Sequence, residues 1–164
     1  MLVSSAVIGN IQQADHVQSS REVDFLELEW FDTTKRVIRE FTRGRREVGF
    51  RNLSGRALLH GDILYADEEV CVVLQILPCA CIVFKSESTR DMAIVCFEIG
   101  NKHVPIFINA QNEIITAFEN PLFQQLSKAG FNPRKEERII EKTDVLMIHN
   151  YASANRKIIL IKED

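Results

Sequence analysis

The rhythm of apolar and polar positions changes near Pro78. Before it, Val23-Asp24-Phe25-Leu26-Glu27-Leu28-Glu29 alternates with period two, which predicts a half-buried strand with Phe25 off the face shared by Leu26 and Leu28. The Asp32-Thr33-Thr34 turn leads into a strand over Lys35 to Phe41. Gly44 then marks a hairpin bend before Glu47 to Asn52. His60-Gly61-Asp62 is a further turn, followed by Ile63 to Ala66, the acidic Asp67-Glu68-Glu69 and an apolar run from Val70. Short strands and tight turns predict a small all-β N-terminal domain over residues 1–77.

After Pro78 the grammar mixes strands and helices. Cys79 to Phe84 is apolar and partly β-branched, so it predicts a strand. Ser88 and Asp91 have capping-box spacing and open a helix that runs to about Ile99, with Gly100-Asn101 as a left-handed stop. Val104 to Asn109 and Glu113 to Phe118 predict two strands around the Ala110-Gln111-Asn112 turn. Asn120 can cap and Pro121 can open a second helix ending before Gly130, and Arg134 to Glu141 supplies a last strand. The order β-α-β-β-α-β over residues 78–143 is that of a ferredoxin-like domain. Residues 144–164 lack periodicity and are expected to form a flexible C-terminal tail. The fold class is therefore α+β.

The first helix carries the most informative pattern. Met92, Val95, Cys96 and Ile99 follow i, i+3, i+4, i+7 and face the domain's own sheet, yet Ile94 and Phe97 make a second apolar side. A second copy of the chain would cover that side in a twofold dimer; packing under the N-terminal domain is the competing explanation.

Composition narrows the picture. The chain has 164 residues, 46% hydrophobic and 26% charged, enough for one ordinary or two small soluble domains. A net charge of -3 gives no whole-chain attraction to nucleic acid or anionic membrane. The apolar run Val70 to Phe84 is interrupted by Gln75 and Pro78 and is too short to span a bilayer, and no secretory signal is evident. The four cysteines are too few and irregular for a disulfide scaffold, so free thiols in the cytoplasm are expected.

Candidate chemistry is sparse. No G-x-S-x-G, P-loop, H-E-x-x-H or dinucleotide turn occurs, so no catalytic residue is assigned and the protein is not expected to be an enzyme. Cys79 and Cys81 share a strand face but lack a second cysteine pair to complete a cage, and apolar surroundings favour packing; Cys71 and Cys96 read as core. His60 and His16 read as turn and loop residues. The eight basic residues between Lys35 and Arg56 could serve a non-enzymatic adaptor that docks an acidic protein or RNA on a basic β hairpin. The aromatic strand of an RNA-recognition module is missing, so nucleic acid is not the expected partner. A lone His103 is more often structural than ligating, but near a twofold axis it becomes two imidazoles, the beginning of a metal site.

Cys96-Phe97-Glu98-Ile99-Gly100-Asn101-Lys102-His103-Val104-Pro105 resembles the C-[YF]-x-[LI]-G-N-[RK]-H-x-P signature of the urease accessory protein E (UreE) family, nickel metallochaperones of urease maturation. Gly61-Asp62-Ile63-Leu64 resembles that family's G-D-x-L turn, and the similarity extends over roughly residues 1–142. The resemblance implies a cytoplasmic homodimer in which both His103 side chains bind nickel at the interface, with zinc and copper able to compete. It also implies an N-terminal protein-interaction module and, as partners, the urease accessory GTPase and the apo-urease complex. Family members often end in a histidine-rich tail that stores nickel; this chain has no such run, which points to delivery of a single ion rather than bulk storage. Some family members complete the interface site with one C-terminal histidine; His149 is the candidate for it here, a solvated tail residue being the alternative. Imidazole binds metal as the neutral base, so affinity should fall on acidification.

Overall fold

The computed structural model describes residues 1–12 and 21–146. It is mixed α+β and divides into two compact units, Met1–Cys81 with Glu136–Thr143, and Ile82–Lys135 with the described residues from Asp144.

The first unit is built on two sheets. One orders strands β1 (Leu2–Ser4), β5 (Glu47–Arg51) and β4 (Val37–Phe41) in that sequence. β1 runs parallel to β5 with Val3 opposite Gly49, and β4 runs antiparallel with Val37 opposite Arg51. The other sheet orders β2 (Gly9–Asn10), β6 (Asp62–Ala66), β7 (Val70–Ile76) and β3 (Glu22–Leu28). The alternation read from Val23 onward holds: Leu26 and Leu28 enter the core with Ile38, Val48, Phe50, Leu64, Val72 and Leu74 from both sheets. Phe25 lies on the opposite face beside Ile63, Cys71 and Val73. Each fully buried aliphatic side chain here contributes roughly 1.5–3 kcal/mol.

Three local features refine the turns read from sequence. The Asp32-Thr33-Thr34 turn is part of a 3-10 helix over Trp30–Thr34, closed by Thr33 Oγ1 donating to the Trp30 carbonyl at 2.8 Å. The left-handed residue of the β4–β5 hairpin is Arg45 (φ 62°), not Gly44. Gly44 is needed for a different reason, since a Cβ there would meet Asp24 Oδ2 at 2.6 Å. Asp24 is buried and accepts hydrogen bonds from Thr42 Oγ1 (2.6 Å), the Gly44 and Phe25 N–H groups (2.9 Å each) and Arg46 Nη1 (2.8 Å). Burial pushes its carboxyl pKa up, but the bonds from Thr42, Arg46, Gly44 and Phe25 together hold it below the ordinary value.

The remaining elements follow as β8 (Cys79–Phe84), α1 (Thr89–Asn101), β9 (Phe107–Ile108), β10 (Ile114–Ala117), α2 (Asn120–Lys128) and β11 (Arg134–Arg138). Their sheet has the order β11-β8-β10-β9. Val95 and Ile99 of α1 are buried with Ile82, Phe84, Ile114, Leu122 and Leu126, and Met92 and Cys96 pack against that cluster. Ser88 caps α1 by accepting the Asp91 N–H at 3.2 Å, but the Ser88 N–H goes to Ser86 Oγ rather than back to Asp91, so the box is closed on one side only. In α2, Glu119 occupies the cap without a side-chain bond and Asn120 is already helical. Gly130 follows at φ 89°, the left-handed stop expected there. The last strand ends at Arg138 because the chain then serves the first unit: Ile140 is buried and Glu141 Oε1 accepts the His60 N–H at 2.8 Å. No helix among the described residues is long and apolar enough to cross a membrane.

Candidate metal centre

His103 sits immediately beyond α1. The helix does not stop at Gly100-Asn101, as their tolerance of left-handed geometry suggests; both remain helical, Lys102 caps, and His103 itself takes the left-handed position at φ 57°. Pro105 explains the shift. It biases Val104 toward extended geometry, so the reversal falls on the residue just before Val104. The His103 N–H donates to the Gly100 carbonyl at 2.9 Å, one of the two bonds of a Schellman-type helix end. This position is usually glycine's, and histidine is among the few other residues enriched there.

The segment that follows is clamped. Thr116, fully buried, donates from Oγ1 to the Pro105 carbonyl at 2.9 Å. The Leu146 N–H donates to the next carbonyl, that of Ile106, at 2.7 Å, and Val145 bridges Phe107 in antiparallel fashion. Val104 and Ile106 pack on the hydrophobic cluster of the second unit. The expected strand over Val104 to Asn109 shrinks to Phe107–Ile108 because Pro105 has no N–H and the Pro105 carbonyl is taken by a side chain. Thr116 was not legible as a positioning residue: a threonine in an apolar strand carries no pattern of its own. The imidazole is thus exposed to solvent on a fixed mount.

The exposed apolar side of α1 leads to the same place. Ile94 is 37% and Phe97 66% exposed, and the stripe Ile94, Phe97, Asn101 runs at i, i+3, i+7 to within two residues of His103. His149, with His16, lies outside the described residues. Among the described residues, no three His, Cys, Asp or Glu side chains gather as a metal-binding group. His103 therefore offers one nitrogen donor, and any multidentate site needs donors brought to it.

The other candidates are structural. His60 Nδ1 accepts the Ile76 N–H at 3.2 Å and its carbonyl accepts from Asn10 Nδ2 at 2.9 Å, tying the turn to its neighbours. Gly61 in that turn has φ 85°, and Asp62 beside it is buried, pairing with Arg56 at 2.9 Å and accepting the Leu59 N–H at 2.9 Å. The Cys79 and Cys81 sulfurs lie 3.7 Å apart. Burial, then the neighbouring Cys79, pushes the Cys81 thiol up to about 12, and burial likewise raises Cys71, Cys79 and Cys96. Such thiols remain protonated and unreactive at neutral pH.

The model of the UreE urease accessory protein N-terminal domain matches residues 5–77. The urease accessory protein UreE of Flavobacterium johnsoniae is 39% identical over 135 residues, covering 82% of this chain and 80% of that protein. The UreE of Acetivibrio thermocellus is 36% identical over 82% of this chain and 86% of its own length. The Helicobacter pylori UreE is 31% identical over 81% of this chain and 79% of its own length. These matches place the chain among the urease accessory proteins. Within that class, it belongs to the UreE family.

Proposed function

We propose that this protein binds nickel and delivers it to apo-urease during assembly of the urease active site, without catalytic activity of its own. It would act in the cytoplasm as a homodimer, with the urease accessory GTPase and the apo-urease complex as partners. The observation that carries the proposal is His103: an exposed imidazole, held in left-handed geometry where glycine is usual, on a segment clamped at two successive carbonyls. Backbone strain retained at an exposed polar residue favours a functional over a structural role.

The Ile94 and Phe97 side of α1 supports a twofold dimer that sets two His103 side chains near one axis. His149 is proposed as the additional donor. In the antiparallel bridge Phe107 faces Val145; His103 lies four residues before the first, and His149 four after the second. Either span reaches at most about 14 Å, so chain length permits both imidazoles to reach one ion. Four neutral nitrogens hold nickel without thiolate, which suits an exchangeable cargo; zinc and copper would compete for the same donors. The β-α-β-β-α-β order with sheet order β11-β8-β10-β9 supports a ferredoxin-like class for residues 78–143, with residues 1–77 as the protein-interaction module.

Calorimetric nickel titration of wild type, His103→Ala and His149→Ala tests this reading. One strong site per two chains is expected, abolished in His103→Ala and weakened in His149→Ala. Unchanged binding in His103→Ala removes His103 from the site.

A further inference from the structure

The basic stretch of the first unit is less basic than its sequence suggests, and the difference singles out one cavity. Of its eight cationic side chains, five are in ion pairs: Lys35 with Asp32, Arg39 with Glu47, Arg43 with Glu27, Arg46 with Glu22 and Asp24, and Arg56 with Asp62. Arg36, Arg45 and Arg51 make no ion pair among the described residues. Two of these three, Arg36 and Arg51, line one cavity of about 200 Å³ with Asn52, Leu53 and Gly55. Its floor is built: the buried Asn52 donates to the Arg56 carbonyl at 2.7 Å and accepts from Ser54 Oγ (2.8 Å) and the Gly55 N–H (3.2 Å).

An exposed apolar surface adjoins the cavity. Arg51 stands opposite Val37, and opposed residues share a face of the sheet. Along β4 that face continues through Arg39 to Phe41, and across β5 it reaches Gly49 and Val3. Val37 and Phe41 are each 66% and Val3 64% exposed on this one face, with the Arg39–Glu47 ion pair set between Val37 and Phe41.

We propose that this face binds an extended acidic segment of a partner protein, one carboxylate seated between Arg36 and Arg51 and aliphatic side chains lying on Val37, Phe41 and Val3. Guanidinium matches carboxylate by paired hydrogen bonds, and two guanidinium groups at one cavity, neither in an ion pair among the described residues, favour a single anionic side chain. A nucleic-acid surface is disfavoured by the same count, because tracking a phosphate backbone takes a run of free cations and here most are neutralised. The proposal rests on the accessory-protein reading only in supposing that a protein partner exists.

The test uses the full chain and a capped peptide of about seven residues alternating aspartate and leucine, followed by fluorescence anisotropy. Saturable binding is expected, weakened at least tenfold in the double variant R36Q/R51Q and to a similar degree when asparagine replaces aspartate in the peptide. Val37→Ser is expected to weaken it independently. Absence of saturable binding to wild type, or equal binding by R36Q/R51Q, overturns the proposal. So does tighter binding of an oligouridine that displaces the peptide, which would assign the face to nucleic acid. A changed solution mass in R36Q/R51Q would assign it to a second copy and overturn it as well. Nickel binding by R36Q/R51Q is expected to match wild type, and loss of nickel binding in wild type with peptide binding intact would instead condemn the metal-carrier reading.

Discussion

At the scale of single residues, two side chains hold conformations or charges that the fold must stabilise. A non-glycine residue in left-handed geometry costs of order 1 kcal/mol, and His103 bears that cost at φ 57°. His103→Gly should therefore raise stability by up to about 1 kcal/mol while removing nickel binding, a combination readable by thermal melting and metal titration of one sample. Lower stability in that variant would mean the imidazole makes contacts that outweigh the backbone strain. Asp24 is the second case. Its carboxyl is held below its ordinary value of 3.8 in the folded chain, so the unfolded chain binds the proton more readily. The resulting stability is present above about 3.8 and is lost as pH falls through the lower folded value. Asp67, lowered by the Val70 and Glu69 N–H groups and Tyr65, adds in the same direction. Asp24→Asn should cost about 2–4 kcal/mol at neutral pH, leaving Arg46 without a buried partner, and should flatten the acid limb of a stability–pH curve measured by urea melts.

Among the elements, α1 shows what was and was not legible in the sequence. Its buried stripe, its start at Ser88 and its second apolar side could all be read from spacing, because each is set by residues within one or two turns of the helix. Its end could not: Gly100 and Asn101 tolerate helix and left-handed geometry alike, and only the restriction from Pro105 decides that His103 takes the turn. β1, β2 and β9 escaped notice or were misjudged in length because two or three residues carry no period. Gly44 was legible as the hairpin bend, but not that it makes room for Asp24, twenty residues away in the chain. For the candidate site, the motif named His103, whereas the clamp from Thr116 depends on strand pairing that no local pattern reveals. The exposed Phe97 yields a prediction at this scale. Phe97→Glu should leave the helix folded, as judged by circular dichroism, and convert a dimer to monomers in light scattering, with nickel affinity falling at least tenfold. A dimer that survives the substitution places the twofold contact elsewhere.

For the whole molecule, two compact units divide the labour that the proposal assigns. One carries a two-sheet core and the face proposed for a partner segment; the other carries a helix whose end presents the His103 imidazole. With His103 as the one proposed donor among the described residues, the proposal makes metal binding a property of the assembly, so ion count and chain count should move together. Native mass spectrometry of the nickel-loaded protein reads both at once. The expected spectrum shows one ion per two chains in wild type, and neither ion nor metal-dependent mass change in His103→Gly. One tightly held ion per single chain, retained in His103→Gly, would contradict it.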